Sequence, residues 1–306
     1  MFLEFFPEFQ LNFWPNLLQP LAVTFMNRSL STRPAPILKY PPIDMSRRRL
    51  LAAAPGLSLA VTGGGWLAGC ASLTSALPPE VMDKVPPFSG VSEGGPLPAG
   101  WKPYIVRPNL AKTVYDMVRR DGRNVLHAVA DNARSGLVCA VDIDPGHSPW
   151  LRWQWRVDAV HTNATVEDDD AEDAPARIVV AFDGDCSKLP LRDRIFFEQV
   201  ETFTGNVLPY ATLTYVWDGQ LPVGRVLPYA RSGRIRYQVV ESGKHRAGQW
   251  LGYERNVLDD FQRVFGEPAP GHIIGIGVMT DSDDLKNHVE AWYADIGLHT
   301  QPLGAL

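Results

Sequence analysis

Leu151-Arg152-Trp153-Gln154-Trp155-Arg156-Val157 is the stretch on which the fold turns. Leu151, Trp153, Trp155 and Val157 alternate with Arg152, Gln154 and Arg156. Successive side chains of a strand point to opposite faces, so a period of two predicts a half-buried strand. Working outward, Thr212–Trp217 alternates through Leu213, Tyr215 and Trp217, and Arg234–Val240 through Ile235, Tyr237 and Val239. Lys112–Arg120 and Asn124–Asp131 flank Asp121-Gly122, a hairpin signal because the favoured two-residue turn needs positive φ at both positions. Gly136–Ile143, Arg177–Phe182, Trp250–Asn256, Ile273–Thr280 and Ala291–Leu298 bring the total to about ten strands. Only Leu191–Phe203 and Leu258–Phe265 read as helices, the second ending at a C-capping Gly266. Many short strands with regular turns predict an all-β sandwich or barrel over residues 100–300. No fixed repeat is evident, which argues against a propeller or solenoid.

The N-terminal part carries an address. Met45-Ser46-Arg47-Arg48-Arg49 is a basic head, followed by a small, apolar stretch broken by Gly63-Gly64-Gly65 and closed by Leu67-Ala68-Gly69-Cys70. That order predicts a secretory signal. The glycines keep it short of a spanning run of roughly 20 strongly apolar residues. The arginine pair resembles the twin-arginine export motif, with Leu50 where that motif prefers phenylalanine. Leu67-Ala68-Gly69-Cys70 resembles the lipobox of bacterial lipoproteins, which implies a diacylglycerol on Cys70. Ala71 and Ser72 follow without an aspartate, a pattern that implies the periplasmic face of the outer membrane. Residues 1–44 are then expected to be a misassigned upstream extension, with 45–69 the signal. The Pro-, Ser- and Gly-rich 70–99 is expected to be a flexible tether.

From Cys70 onward the chain has 237 residues, enough for one buried core, with 23 basic and 31 acidic side chains. A net charge of −8 argues against a nucleic-acid partner. Cys139 and Cys186 are two isolated cysteines: an oxidising compartment permits a bridge, but such a pair more often sits as free buried thiols. No Cys-x-x-Cys supports zinc. There is no phosphate-binding glycine loop, no Gly-x-Ser-x-Gly elbow and no His-Glu-x-x-His, and the histidines are scattered.

Several ordered segments carry a family resemblance. Leu151–Val157 is followed by the acidic loop Glu167–Asp173 and by Ala176-Arg177-Ile178-Val179-Val180-Ala181-Phe182. Then come Ala211–Trp217, Glu254-Arg255-Asn256-Val257, Val278–Asp283 and Ala291–Ile296. Together they resemble the bacterial domain-of-unknown-function family 3047 across roughly Gly100 to Leu298. The resemblance implies an exported bacterial protein and no particular activity. The strand texture also looks like the jelly-roll sandwiches of carbohydrate-binding modules, so the expected fold is a jelly-roll-like antiparallel β-sandwich with one or two short helices.

Three groups of residues are candidates for chemistry. Asp281, Asp283 and Asp284 follow a strand in a turn and are spaced as oxygen ligands of a hard cation such as calcium, with Asp168, Asp169 and Asp173 as further donors. The alternative is that all of them are solvated turn and loop carboxylates. Glu254 and Asp281 are candidates for a catalytic acid/base pair acting on polysaccharide. Alternatively, Glu254 pairs with Arg177 inside the sandwich. Sugars stack on exposed indoles and need polar partners, which makes Trp217, Trp250, Arg177, Arg255 and Asn256 candidate ligand-binding residues. Trp153 and Trp155 are expected in the core. The leading expectation is a lipid-anchored, non-catalytic module for a glycan or similar polar envelope ligand. Converging carboxylates would favour a hydrolase, and a long bare sheet edge would favour a structural lipoprotein with a protein partner.

Overall fold

The computed structural model describes residues 80–304; the expected upstream extension, the signal and Cys70 lie outside the described residues. Among the described residues thirteen strands and two α-helices form. The first six strands are β1 (Trp101–Tyr104), β2 (Val114–Arg120), β3 (Arg123–Asp131), β4 (Arg134–Ile143), β5 (Trp150–Val157) and β6 (Ala176–Phe182). Helix α1 (Leu191–Thr204) precedes β7 (Ala211–Asp218), β8 (Val226–Tyr229), β9 (Ser232–Ser242) and β10 (Leu251–Asn256). Helix α2 (Val257–Phe265) precedes β11 (Ile273–Asp281), β12 (His288–Tyr293) and β13 (Gly297–His299). No described helix is long and apolar enough to cross a membrane.

The strands make two sheets. One has seven strands in the order β1-β4-β11-β6-β7-β9-β8; the other has the order β10-β5-β12-β3-β2, with β13 also on β5. Each takes a central strand from the end of the chain: β11 lies between β4 and β6, and β12 between β5 and β3. The pairing is antiparallel except that β7 and β9 run parallel. The chain leaves β7, lays down β8 as the edge, and turns back as β9 into the gap. The predicted Asp121-Gly122 hairpin joins β2 to β3, with φ of 51° and 80° at the two turn residues.

Alternation explains the core. Leu151, Trp153, Trp155 and Val157 of β5 point inward against Ile178, Val180, Leu213, Tyr215 and Trp217 of the other sheet. Trp153 stacks on Tyr215 and on Tyr253, each at 5.1 Å between ring centroids. Helix α2 closes one end of the sandwich by burying Val257, Phe261 and Val264, one face at i, i+4, i+7. Cys139 and Cys186 are both free thiols.

Two expectations need correction. The stretch expected as a tether is structured from Met82 onward. Met82 donates its amide to Ala140 O at 2.9 Å, and Phe88 is fully buried with its ring 4.8 Å from that of Trp101. Pro and Gly in this segment shape turns; the isolated Val85 and Phe88 supply the burial that its composition hides. The acidic loop between β5 and β6 is solvated only at Glu167–Asp170; Glu172 and Asp173 are buried, 4% and 1% exposed. The loop roofs the outer face of the seven-stranded sheet, where Val166 and Ala174 pack on Val216, Tyr237 and Val239. Gly219 permits this, since a β-carbon there would stand 2.3 Å from His161 O and 2.5 Å from Ala164 O.

Candidate functional site

The roof closes over a buried charge network. Asp281, at the end of β11, sits opposite Arg134 at the start of β4. Arg177 on β6 donates to Asp281 Oδ2 at 2.8 Å and to Glu172 O at 2.8 Å. Arg134 donates to Glu172 Oε2 at 2.7 Å and lies 3.5 Å from Asp281 Oδ2. Tyr237 closes the ring by donating to the second Glu172 oxygen. Burial pushes the Asp281 carboxyl up to about 8 against the pull of Arg177 and Arg134. Burial also raises Glu172, but Arg134 and Arg177 outweigh it and hold that carboxyl below its ordinary value.

Beside this network, three of the predicted oxygen donors meet. One carboxylate oxygen each from Asp173, Asp283 and Asp284 lies within 4.8 Å of the others. Asp173 anchors the roof here by accepting the amides of Asp284 and Leu285 at 3.1 and 2.7 Å. Arg134 approaches the same group, 3.2 Å from Asp284 and 3.6 Å from Asp283. Asp281 belongs to the arginine network instead, and Asp168 and Asp169 stay exposed. Burial pushes the Asp284 carboxyl up to about 6.

The structure does not bring Glu254 and Asp281 together. Glu254 faces outward on the six-stranded sheet in register with Arg152, while Asp281 lies under the roof of the seven-stranded sheet. Glu254 pairs with Arg152 at 2.6 Å, not with Arg177, and accepts the Leu303 amide at 2.8 Å. Desolvation raises its carboxyl, but these hydrogen bonds prevail and hold it below the usual range.

Four ligand-binding candidates have structural partners. Arg177 is 3% exposed in the buried network. Trp217 is fully buried and donates Nε1 to Gly243 O at 2.9 Å: its place at a strand end is covered by the returning 242–250 segment. Asn256 caps α2 by accepting the amides of Leu258 and Asp259. Arg255 is half-buried and clamps Asp260, which also accepts Tyr215 Oη at 2.8 Å.

Trp250 alone among the five stands at a solvent face. It is half-buried, donates Nε1 to Asp121 Oδ2 at 2.7 Å, and has the Arg123 guanidinium 3.9 Å from its ring centre. This is the outer face of the six-stranded sheet. Arg123 donates to Gln154 Oε1 at 2.8 Å, and Arg156 pairs with Asp158 at 2.7 Å. Toward the middle, Trp292 carries Arg120 at 3.7 Å and stacks on His127 at 4.7 Å. His127 and His288 share the two oxygens of Glu290, at 2.8 and 3.1 Å. The sequence reading missed Arg120, Arg123 and His127. The outward positions of β3 and β5, read together with the hairpin register, mark them as one surface.

Fold and surfaces together define a two-sheet β-sandwich with one roofed, ion-paired face and one open face of aromatic and guanidinium groups. The chain belongs to the family described as "Protein of unknown function (DUF3047)", whose model matches residues 99–297. No curated protein matches the chain. Among solved structures it is similar to the family GH12 endoglucanase 3 of Trichoderma harzianum, at 7% identity and a TM-score of 0.37, covering 70% of this chain and 95% of that one. It is also similar to the family 29 carbohydrate-binding module CBM29_1 of Piromyces equi, at 8% identity and a TM-score of 0.30, covering 73% and 93%.

Proposed function

We propose that this chain is a lipid-anchored, non-catalytic binding module of the bacterial envelope, and that its open six-stranded face takes a glycan or a similarly polar ligand. The observation that carries the reading is the contrast between the two outer faces. One is roofed by its own loop. The other leaves Gln154 and Asp116 exposed and presents a half-buried indole, Trp250, amid Arg123, Gln154 and Arg156. An indole supplies an apolar plate for the C–H face of a sugar, while guanidinium and amide groups supply hydrogen bonds to hydroxyls. The separation of Glu254 from Asp281 removes the support for the polysaccharide-hydrolase alternative built on that pair. The Cys70 lipid and the periplasmic face of the outer membrane rest on the signal sequence and belong to the proposal.

The test is binding of the purified protein to a panel of envelope polysaccharides, with analysis for released fragments. Saturable binding that weakens at least tenfold in Trp250→Ala and Arg123→Ala supports the reading. Binding unchanged in both variants, or fragment release, overturns it.

A further inference from the structure

The end of β11 and the turn that joins it to β12 hold acceptors without a hydrogen-bond donor. Asp281 Oδ1, Asp283 Oδ1 and Asn287 Oδ1 are buried and have no hydrogen-bond donor. Only one other side-chain oxygen among the described residues, Gln238 Oε1, shares that condition. Buried polar atoms are ordinarily paired; Asp281 at the end of β11 has the unpaired Arg134 Nε and Arg177 Nε beside it, so the missing positive partner is marked by Asp283 and Asn287 in the turn beyond.

Charge points the same way. Glu172, Asp173, Asp281, Asp283 and Asp284 crowd this region, and Arg107, Arg134 and Arg177 are the guanidinium groups set against them. With Asp281 holding its proton, the other four carboxylates still outnumber the three guanidinium groups. Asp283 is 92% buried, and its orphaned Oδ1 has Arg134 no nearer than 3.6 Å, beyond hydrogen-bond reach. A divalent cation would offset that excess and fill the vacant acceptor valences together.

We infer that Asp173, Asp283 and Asp284 form a binding site for a hard divalent cation of the calcium type. All the donors are oxygens, and they come from two irregular segments, as calcium tolerates and the stricter octahedron of magnesium does not. The ion would tie the roofing loop, through Asp173, to the β11–β12 turn, and so hold closed the face opposite the proposed ligand surface. The site is independent of the proposed ligand face, so failure of one leaves the other standing.

The test uses the purified full chain. Calcium content is measured as isolated, the protein is exhaustively chelated, and thermal unfolding and terbium luminescence are followed as the ion is added back. The expected result is one equivalent of ion per chain and a rise in Tm of roughly 5–10 °C at saturating calcium. Both effects are lost in Asp283→Asn and in Asp284→Asn and kept in Asp168→Asn. Asp284 is the less buried of the two, so its variant decides the matter if Asp283→Asn does not fold. No calcium-dependent shift with no saturable terbium signal overturns the site, and so does a shift that survives in the Asp284 variant.

Discussion

Arg134 and Asp281 face each other across β4 and β11 as a register pair, and the same guanidinium reaches over to Glu172 in the roofing loop at 2.7 Å. One arginine thereby joins two strands of the sheet to the segment that covers them. Arginine suits this position because its planar fork serves several carboxylates in one plane and stays charged when buried.

Arg134→Ala is therefore expected to cost about 3–5 kcal/mol, the usual penalty for leaving buried charges without their partner. Urea unfolding of the two proteins side by side measures it. A loss below about 1 kcal/mol, the range of exposed ion pairs, would mean that the network is solvated in solution.

The network also sets a pH dependence in chelator. Asp281, raised to about 8 by burial, keeps a proton that the unfolded chain releases above about pH 4. The native state binds more protons across that window, so stability falls as pH rises through it. Glu172 acts in the opposite sense: its carboxyl is depressed, so its contribution is present above the ordinary carboxylate range and lost as pH falls through the folded value. Denaturation at a series of pH values should show a maximum near the lower end of the Asp281 window and a decline toward pH 8. A flat profile from pH 5 to 8 would contradict the buried state of Asp281.

Phe88 lies in a segment whose composition reads as linker, yet it is fully buried. Phe88→Ala is expected to destabilise the fold by about 3–5 kcal/mol, as removal of a core aromatic does. A chain that starts at Trp101 should unfold well below the parent. Equal melting temperatures for that truncation and the parent would return the segment to the status of tether.

The two thiols should differ in reactivity. Cys139 is buried, and desolvation pushes its thiol up to about 11; Cys186 is half-buried and raised mainly by the same cause. In a Cys70→Ser chain, native labelling with a maleimide is expected to modify Cys186 slowly and to reach Cys139 only after unfolding. Equal native rates, or recovery of a Cys139–Cys186 bridge, would go against the free, unequally buried pair.

The alternating strands were the most legible part of the fold, because a two-residue period leaves its mark wherever one face is wet. The short β1 and β8 escaped notice: four residues hold too little alternation to read. The parallel placement of β9 was hidden as well, since local patterns carry no information about which neighbour a strand chooses. At the site, Asp173, Asp283 and Asp284 were each noticed as oxygen donors. Their meeting depends on a contact about 110 residues apart in sequence, which only the tertiary fold supplies. The acidic run misled for a related reason. Its first four charges are solvated, as such runs usually are, while Glu172 and Asp173 find arginine and amide partners elsewhere. Trp217 misled through its position: a strand end can be covered by the chain that follows it.

The late arrival of β11 and β12 has a consequence for the order of biosynthesis. Each is the strand that joins two halves of its sheet, and both come from Ile273–Tyr293, at the far end of the chain. A nascent chain on the ribosome holds β4 and β6, or β3 and β5, with nothing between them. Neither sheet can knit until Tyr293 has been made, and the step is slow because its pairings are distant in sequence. A translocation route that accepts only completed folds would suit such a chain. A route that threads it unfolded would leave the joining of both sheets to the far side of the membrane.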